Sequence, residues 1–239
     1  MPLDDSIIER VLVVTAHPDD VDFGAAGTVA TWTAMGLEVT YCIVTDGDAG
    51  GFDPATPRDQ IGTIRQAEQA AAAKQVGVHD LVFLGFPDGY LESTLQLREV
   101  ISGVIRQARP QRVLCQSWVR NLDRIFASHP DHLAAGEATM CAVYPDARNE
   151  FVFPDLLAAG LAPWSVSEVW VMAGPDSNHA VDVTDQVERK MLALRSHESQ
   201  HPDPNAMEQR VRGWMEATAV QFGFGEGRFA EVFRVVNTG

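Results

Sequence analysis

Short apolar, β-branched runs alternate with stretches of helical periodicity through the first half of this chain. Residues 11–15 (VLVVT) read as a buried strand, 25–35 as a helix closed at Gly36, and 39–45 as a second strand. A Gly/Asp/Pro-rich loop over 46–57 precedes an Ala-rich helix at 60–74, stopped by Gly77. Then come a strand at 81–84, a helix at 95–108 and a strand at 112–116. Strands alternating with helices of this length predict βαβ units and a parallel sheet. The expected fold is Rossmann-like α/β, a mostly parallel sheet flanked by helices, with ligands beyond the carboxyl ends of the strands. Further on, 133–143 reads as a helix, 167–172 as a strand and 185–196 as a helix. The Pro- and aromatic-rich stretch 144–163 is expected to cover part of a cleft, and 201–239 shows no clear pattern. No repeat or low-complexity linker divides the 239 residues, so one domain over 1–239 is expected.

Composition narrows the choice of partners. The 46% hydrophobic and 21% charged residues exclude a disordered or collagen-like chain. The formal charge of −15 repels phosphate backbones and anionic lipid, which argues against nucleic acid and membrane as partners. No apolar run reaches the length of a membrane span, and the acidic amino terminus does not resemble a signal peptide. A cytoplasmic location is the resulting expectation. Three cysteines without CxxC spacing give neither a disulfide framework nor a zinc site built from four thiolates; Cys42 and Cys115, in strand-like runs, are expected to be packed thiols.

The chemistry concentrates in two clusters. The first strand runs directly into His17-Pro18-Asp19-Asp20, and His129-Pro130-Asp131-His132 follows the fourth. In a parallel sheet the carboxyl ends of different strands share one edge, so both clusters can serve one metal. Catalytic zinc takes imidazole nitrogen and carboxylate oxygen and keeps a position open for water. A polar turn accounts for the first cluster taken alone, and a helix start accounts for Asp131 but not for the two histidines around it. His197-Glu-Ser-Gln-His201 matches HExxH, but Pro202 and Pro204 follow at once, so its second histidine falls at or past a helix end. His79 and His179 are isolated in loop-like contexts and read as surface residues. GxGxxG, GxSxG and GxxxxGK[ST] are all absent.

The stretches AHPDDVDFGAAGT at 16–28, TDGDAG at 45–50, IRQAE at 64–68, LGFPDG at 84–89 and HPDH at 129–132 resemble the LmbE-like, or PIG-L, family of zinc-dependent de-N-acetylases. FPDLLAAGLAPW at 153–164 and the stretch from Lys190 to Gln200 also look like bacterial members. The resemblance implies His17, Asp20 and His132 as zinc ligands, with Fe2+ as an alternative ion. It implies Asp19 as general base on the zinc-activated water and His129 as oxyanion stabiliser and acid, with Asp131 orienting His129. Arg65 matches an arginine implicated in holding substrate. Asp48 and Asp22 stand where relatives often carry Glu. By the same resemblance the chain forms a homo-oligomer, a trimer or hexamer.

The implied function is hydrolysis of the N-acetyl group from a small substrate, an N-acetylglucosamine derivative. Amide hydrolysis needs what the clusters offer: a cation that activates water and polarises the carbonyl, a carboxylate that takes a proton and a histidine that returns one. Asp48 and Asp88, in the loops after strands two and three, are expected to accept hydrogen bonds from sugar hydroxyls, with Arg65 donating. Specificity is expected from the loops at 46–59, 118–128 and 144–165. An amidase acting on a larger thiol conjugate uses the same chemistry. A metal- or sugar-binding protein without turnover would need neither Asp19 nor His129.

Overall fold

The computed structural model describes residues 2–238. Seven strands form one sheet in the order β3-β2-β1-β4-β5-β7-β6. Strands β1 (Arg10–Thr15), β2 (Glu38–Thr45), β3 (Asp80–Phe86), β4 (Arg112–Gln116) and β5 (Glu168–Met172) are mutually parallel. The last two sheet positions, β7 (Ala230–Asn237) and β6 (His179–Asp182), run antiparallel to their neighbours. Helices α1 (Asp20–Ala34), α2 (Arg58–Gln75), α3 (Leu95–Ala108), α4 (Pro130–Cys141), α5 (Pro154–Ala158), α6 (Val187–Arg195) and α7 (Pro204–Gln221) complete the chain. The mostly parallel, helix-flanked sheet is the one its periodicity predicts. None of the described helices is long and apolar enough to cross a membrane.

Strand alternation divides the core. Val11, Val13, Val39, Tyr41 and Ile43 pack with α1 and α2, beside Trp32 and Ala72. Leu12, Val14, Cys42, Val44 and Cys115 point the other way, toward α3 and α4 and Leu97, Ile101 and Ala138. Successive side chains of a strand face opposite sides, and a parallel sheet covered on both faces needs apolar residues on each. A fully buried Val or Leu contributes about 1.5–3 kcal/mol, so both faces of β1 anchor the sheet. Burial pushes the Cys42 and Cys115 thiols up to about 12, as expected of packed, unreactive groups.

Three expectations need correction. Helix α1 begins at Asp20 rather than at 25, directly after the His17–Asp20 turn; the small, weakly periodic residues of its first turns hide it. The unpatterned tail contains α7 and β7. Met207, Val211 and Met215 of α7 meet Val187, Met191 and Leu194 of α6, while β7 inserts between β5 and β6. Residues 144–163 do not cover the cleft. Trp164 donates to the Pro110 carbonyl at 2.7 Å and lies under Arg109, at the amino ends of the strands. Arg106 holds that segment through the carbonyls of Asp146, Ala147, Asn149 and Val152.

Glycine 136 lets α4 reach the carboxyl end of β4: a methyl built there would overlap the Gln116 carbonyl. Gly136→Ala should therefore destabilise by about 1–3 kcal/mol, the usual cost of overpacking. It should also lower metal affinity, because α4 carries His132. Denaturant unfolding and metal titration of the variant check both effects.

Candidate metal centre and active site

The turn after β1 projects His17 and Asp20, and the first turn of α4 projects His132, toward one point. His17 Nδ1 lies 3.2 Å from His132 Nε2 and 3.3 Å from an Asp20 oxygen. The other Asp20 oxygen is 3.0 Å from His132 Nε2. Bonds of about 2.0–2.2 Å to a tetrahedral zinc would place ligand atoms roughly 3.3 Å apart. The triangle has that size.

The ring tautomers agree with it. His17 Nε2 faces two carboxylates, Asp88 at 3.1 Å and Asp131 at 3.3 Å. The proton therefore sits on Nε2, leaving Nδ1 with a lone pair. His132 Nδ1 lies 3.2 Å from the Ala127 carbonyl, so it donates there and leaves its Nε2 lone pair facing inward. Two imidazole lone pairs and a carboxylate thus converge, a donor set suited to a divalent cation and backed by outer carboxylates in the usual manner. Burial opposes charge on His17, yet Asp20, Asp131 and Asp88 outweigh it and push its pKa up to about 12, so that either a proton or a metal ion is drawn onto Nδ1. Burial likewise opposes ionisation of Asp20, but His132 and His17 hold its carboxyl well below the usual range. The arrangement favours positive charge at the centre of the triangle.

Asp19 stands beside this triangle in an unusual backbone conformation, with φ of 94°. A non-glycine residue there is strained and persists only when its surroundings hold it. Helix α2 supplies the restraint. Gln69 Oε1 accepts the Asp19 N–H at 2.7 Å. Arg65 donates to the Pro18 carbonyl at 2.6 Å and to the Asp19 carboxylate at 3.1 Å. Burial raises the Asp19 pKa to about 6, with Asp20 adding to the rise and Arg65, His197 and His17 opposing it. Behind it, Asp22 accepts from Gln69 at 2.9 Å and meets His197 Nε2 at 2.8 Å. His197 and His201 flank a short 3-10 turn, Glu198–Gln200, rather than sharing a helix face, so HExxH is not a metalloprotease motif here.

His129 caps α4 by accepting the Asp131 N–H on Nδ1 at 3.2 Å. Its neutral ring therefore carries the proton on Nε2. Burial, then the charges of His17 and His132, lower its pKa, so it is a neutral donor.

Four residues sit otherwise than the sequence suggested. The Asp131 carboxylate accepts from Gly89 N–H at 2.7 Å and contacts His17; the link of Asp131 to His129 runs through its backbone N–H instead. Asp88 is buried, with one oxygen at His17 and the other accepting the Ala49 N–H at 3.2 Å. Asp48 pairs with Arg58 at 2.7 Å and accepts the Asp88 N–H at 3.0 Å, bracing two loops. Arg65 is buried against Asp19 and the Gly47 carbonyl, and Glu68, one turn further along α2, accepts from Ser199. The three carboxylates are engaged by protein partners, and so are both terminal nitrogens of the Arg65 guanidinium, while its buried Nε has none among the described residues. Of the supporting residues, Gln69 went unnoticed, although its four-residue spacing from Arg65 puts both on one face of α2. Lys190 and Glu231 also escaped notice. They form a buried pair at 2.6 Å that holds Phe23, Gly27 and Thr28 of α1.

The family model described as "PIG-L: GlcNAc-PI de-N-acetylase" matches residues 12–143, from β1 to just past α4. The chain belongs to this family. Among relatives, a diacetylchitobiose deacetylase of Thermococcus kodakarensis is 33% identical over 96% of this chain and 84% of its own length. A probable N-acetyl-α-D-glucosaminyl L-malate deacetylase 2 of Bacillus anthracis is 32% identical over 80% of this chain and 81% of its own. The solved N,N'-diacetylchitobiose deacetylase of Pyrococcus horikoshii, complexed with an inhibitor, superposes with a TM-score of 0.89 at 28% identity, covering 97% of this chain and 85% of that one.

Two outcomes test the geometry. His132→Ala removes one corner of the triangle, and metal analysis should show bound zinc falling to a small fraction of one per chain. Arg65→Met should lower kcat more than it raises KM, because Arg65 contacts Asp19; a change confined to KM would return it to substrate binding.

Proposed function

We propose that this protein is a zinc-dependent N-deacetylase acting on a small N-acetylglucosamine derivative. The observation that carries the reading is that Asp19 and His129 both adjoin the converging His17, Asp20 and His132 donors, Asp19 as the neighbour of Asp20 in the turn and His129 with a ring nitrogen within 4.8 Å of nitrogens of His17 and His132. Metal binding alone needs neither flanking group. The family and its deacetylase relatives supply the class of substrate.

The reaction is amide + water → acetate + amine. His17, Asp20 and His132 would hold a zinc ion, whose Lewis acidity would polarise the carbonyl and make water a better nucleophile at neutral pH; Fe2+ would also suit this N/O donor set. Asp19 accepts the proton of the attacking water. Its desolvation keeps it a stronger base than an exposed carboxylate, and its strained backbone aims it. His129 donates a hydrogen bond from Nε2 to the oxygen as negative charge grows there. The proton gathered by Asp19 leaves with the amine nitrogen. Asp88 and Asp131 keep the His17 ring turned so that Nδ1 faces inward. Arg65 and Gln69 hold Asp19 in place.

Asp19→Asn preserves shape and removes the base. It should retain the metal and lose about 10²–10⁴-fold in kcat, the usual cost of general-base removal. Acetate release from N-acetylglucosamine conjugates, with zinc content measured in parallel, checks this. Near-normal kcat with bound zinc would assign the proton to another group. A kcat/KM higher on acetyl-lysine peptides than on any of the sugar conjugates would overturn the substrate class and leave the chemistry standing.

A further inference from the structure

A cavity of about 310 Å³ adjoins the metal triangle on the side of α7 and β7, and Asp20 and His132 form part of its wall. This volume is at the lower end of small-molecule sites. Asp19, Arg65, Asp88 and His129 do not line it. It extends from Asp20 and His132 toward α7, β7 and the loop that carries Arg124 and Phe126.

The chamber has a polar floor and an aromatic, cationic mouth. Gln116, Lys190 and Glu231 lie at the floor, all at most 4% exposed. The Gln116 side-chain oxygen accepts the Ala16 N–H, and its amide nitrogen has no hydrogen-bond partner among the described residues. That buried donor is available to the cavity. At the mouth, Phe126 and Trp214 are stacked, with centroids 6.1 Å apart and 18° between planes. Arg124 lies 5.8 Å and Arg210 5.7 Å from the Trp214 ring. Neither guanidinium has a carboxylate within ion-pair distance among the described residues, in a chain with 33 acidic against 18 basic side chains. Most other arginines near this face are paired: Arg195 with Glu208, and Arg212 with Glu188 and Glu208.

Both guanidiniums lie within 6 Å of the Trp214 ring without a carboxylate partner among the described residues, so an anion beside the indole can accept charge-assisted hydrogen bonds from them. The exposed aromatic edges offer a platform to a flat or ring-shaped apolar face. We infer that the chamber is the subsite for the part of the substrate attached to the acetamido sugar, and that it selects a ring-bearing group with a carboxylate, gripped by Arg124 and Arg210 beside Trp214. The inference rests on the deacetylase reading only in assigning the sugar to the metal side; the chamber's preference for a carboxylate stands on its own geometry. The net charge argues against polyanions but not against a single carboxylate entering between two arginines.

The test compares benzyl N-acetylglucosaminide with its 4-carboxybenzyl counterpart, which differ only in the carboxylate. The zinc-loaded wild type should deacetylate the carboxylate at least tenfold more efficiently in kcat/KM, through a lower KM. Arg124→Gln/Arg210→Gln, changes at two exposed positions, should bring that ratio close to one. Titration calorimetry with the two corresponding amine products should show the same discrimination without turnover. Equal efficiencies in the wild type, or a preference that survives in the double variant, would overturn the assignment while leaving the deacetylase reading intact. Product binding that discriminates in the wild type but not in the double variant, without acetate release from either compound, would support the carboxylate subsite and overturn the deacetylase reading instead.

Discussion

Everything at the carboxyl edge of the sheet depends on two imidazole lone pairs made to face each other. His17 Nδ1 and His132 Nε2 are 3.2 Å apart, and the opposite nitrogen of each ring is committed to an acceptor: Asp88 and Asp131 for His17, the Ala127 carbonyl for His132. Two lone pairs cannot satisfy one another. They need a positive centre between them, and Asp20, accepting the His17 backbone N–H at 2.7 Å, is placed to share it. The rest of the site follows from this constraint. The buried carboxylates that fix the His17 tautomer are costly without nearby positive charge, so the loops after β2 and β3 supply N–H groups to Asp88 and Asp131. Asp48, Arg58 and the backbone of the 46–59 loop then tie those loops together.

The parallel sheet and the convergence of the two His/Asp clusters were legible because both rest on local, repeating signals. Apolar runs of β1, β2 and β4 carry residues buried on both faces, and the clusters follow β1 and β4, neighbours in the sheet. Less legible were the elements whose burial is settled by distant partners. Helix α1 starts with Asp20-Val21-Asp22-Phe23-Gly24, a stretch in which a metal ligand, a buried hydrogen-bond acceptor and a glycine replace a helical apolar stripe. Strand β7 was not legible because AEVFRVVN sets pairs of apolar residues between single polar ones and does not alternate. It was read as part of a featureless tail, and its inserted antiparallel position depends on Glu231 meeting Lys190, a pairing across 41 residues.

The roles of charged side chains were harder to read than their positions. Arg65, Asp48 and Asp88 all lie near the site, where a loop or helix after a strand places them. Direction decides what they do, and direction follows from neighbours that sequence spacing does not show. Gly47 illustrates this. Its φ of 64° and missing side chain let the Arg65 guanidinium pass beneath the loop; a Cβ there would occupy the space of the guanidinium. Once that passage exists, Arg65 reaches Pro18 and Asp19 and is no longer free for a ligand. A glycine in a Gly/Asp loop thereby determines whether an arginine on the next helix turns to the cleft or to Asp19.

The two faces of the metal triangle also divide the chemistry. Asp19 and His129, with α2 and the loops after β2 and β3, belong to the side where an amide would be broken. The tail elements α7 and β7, with the loop 118–128, build the other side without contributing a metal ligand. The segment matched by the family model, residues 12–143, holds all three converging donors, Asp19 and His129 as well as Gln116, Arg124 and Phe126 of the chamber, whereas Lys190, Arg210, Trp214 and Glu231 of the chamber fall beyond it. Hydrolysis requires a particular set of atoms within hydrogen-bond reach of one carbonyl, so its residues tolerate little variation in position. Recognition of whatever is attached to the acetamido sugar has no such requirement and can be rebuilt on a helix packed late against the sheet. The same metal centre can thus be kept while the adjoining chamber is lined anew, and the chamber is where this chain is free to depart from the general chemistry of its family.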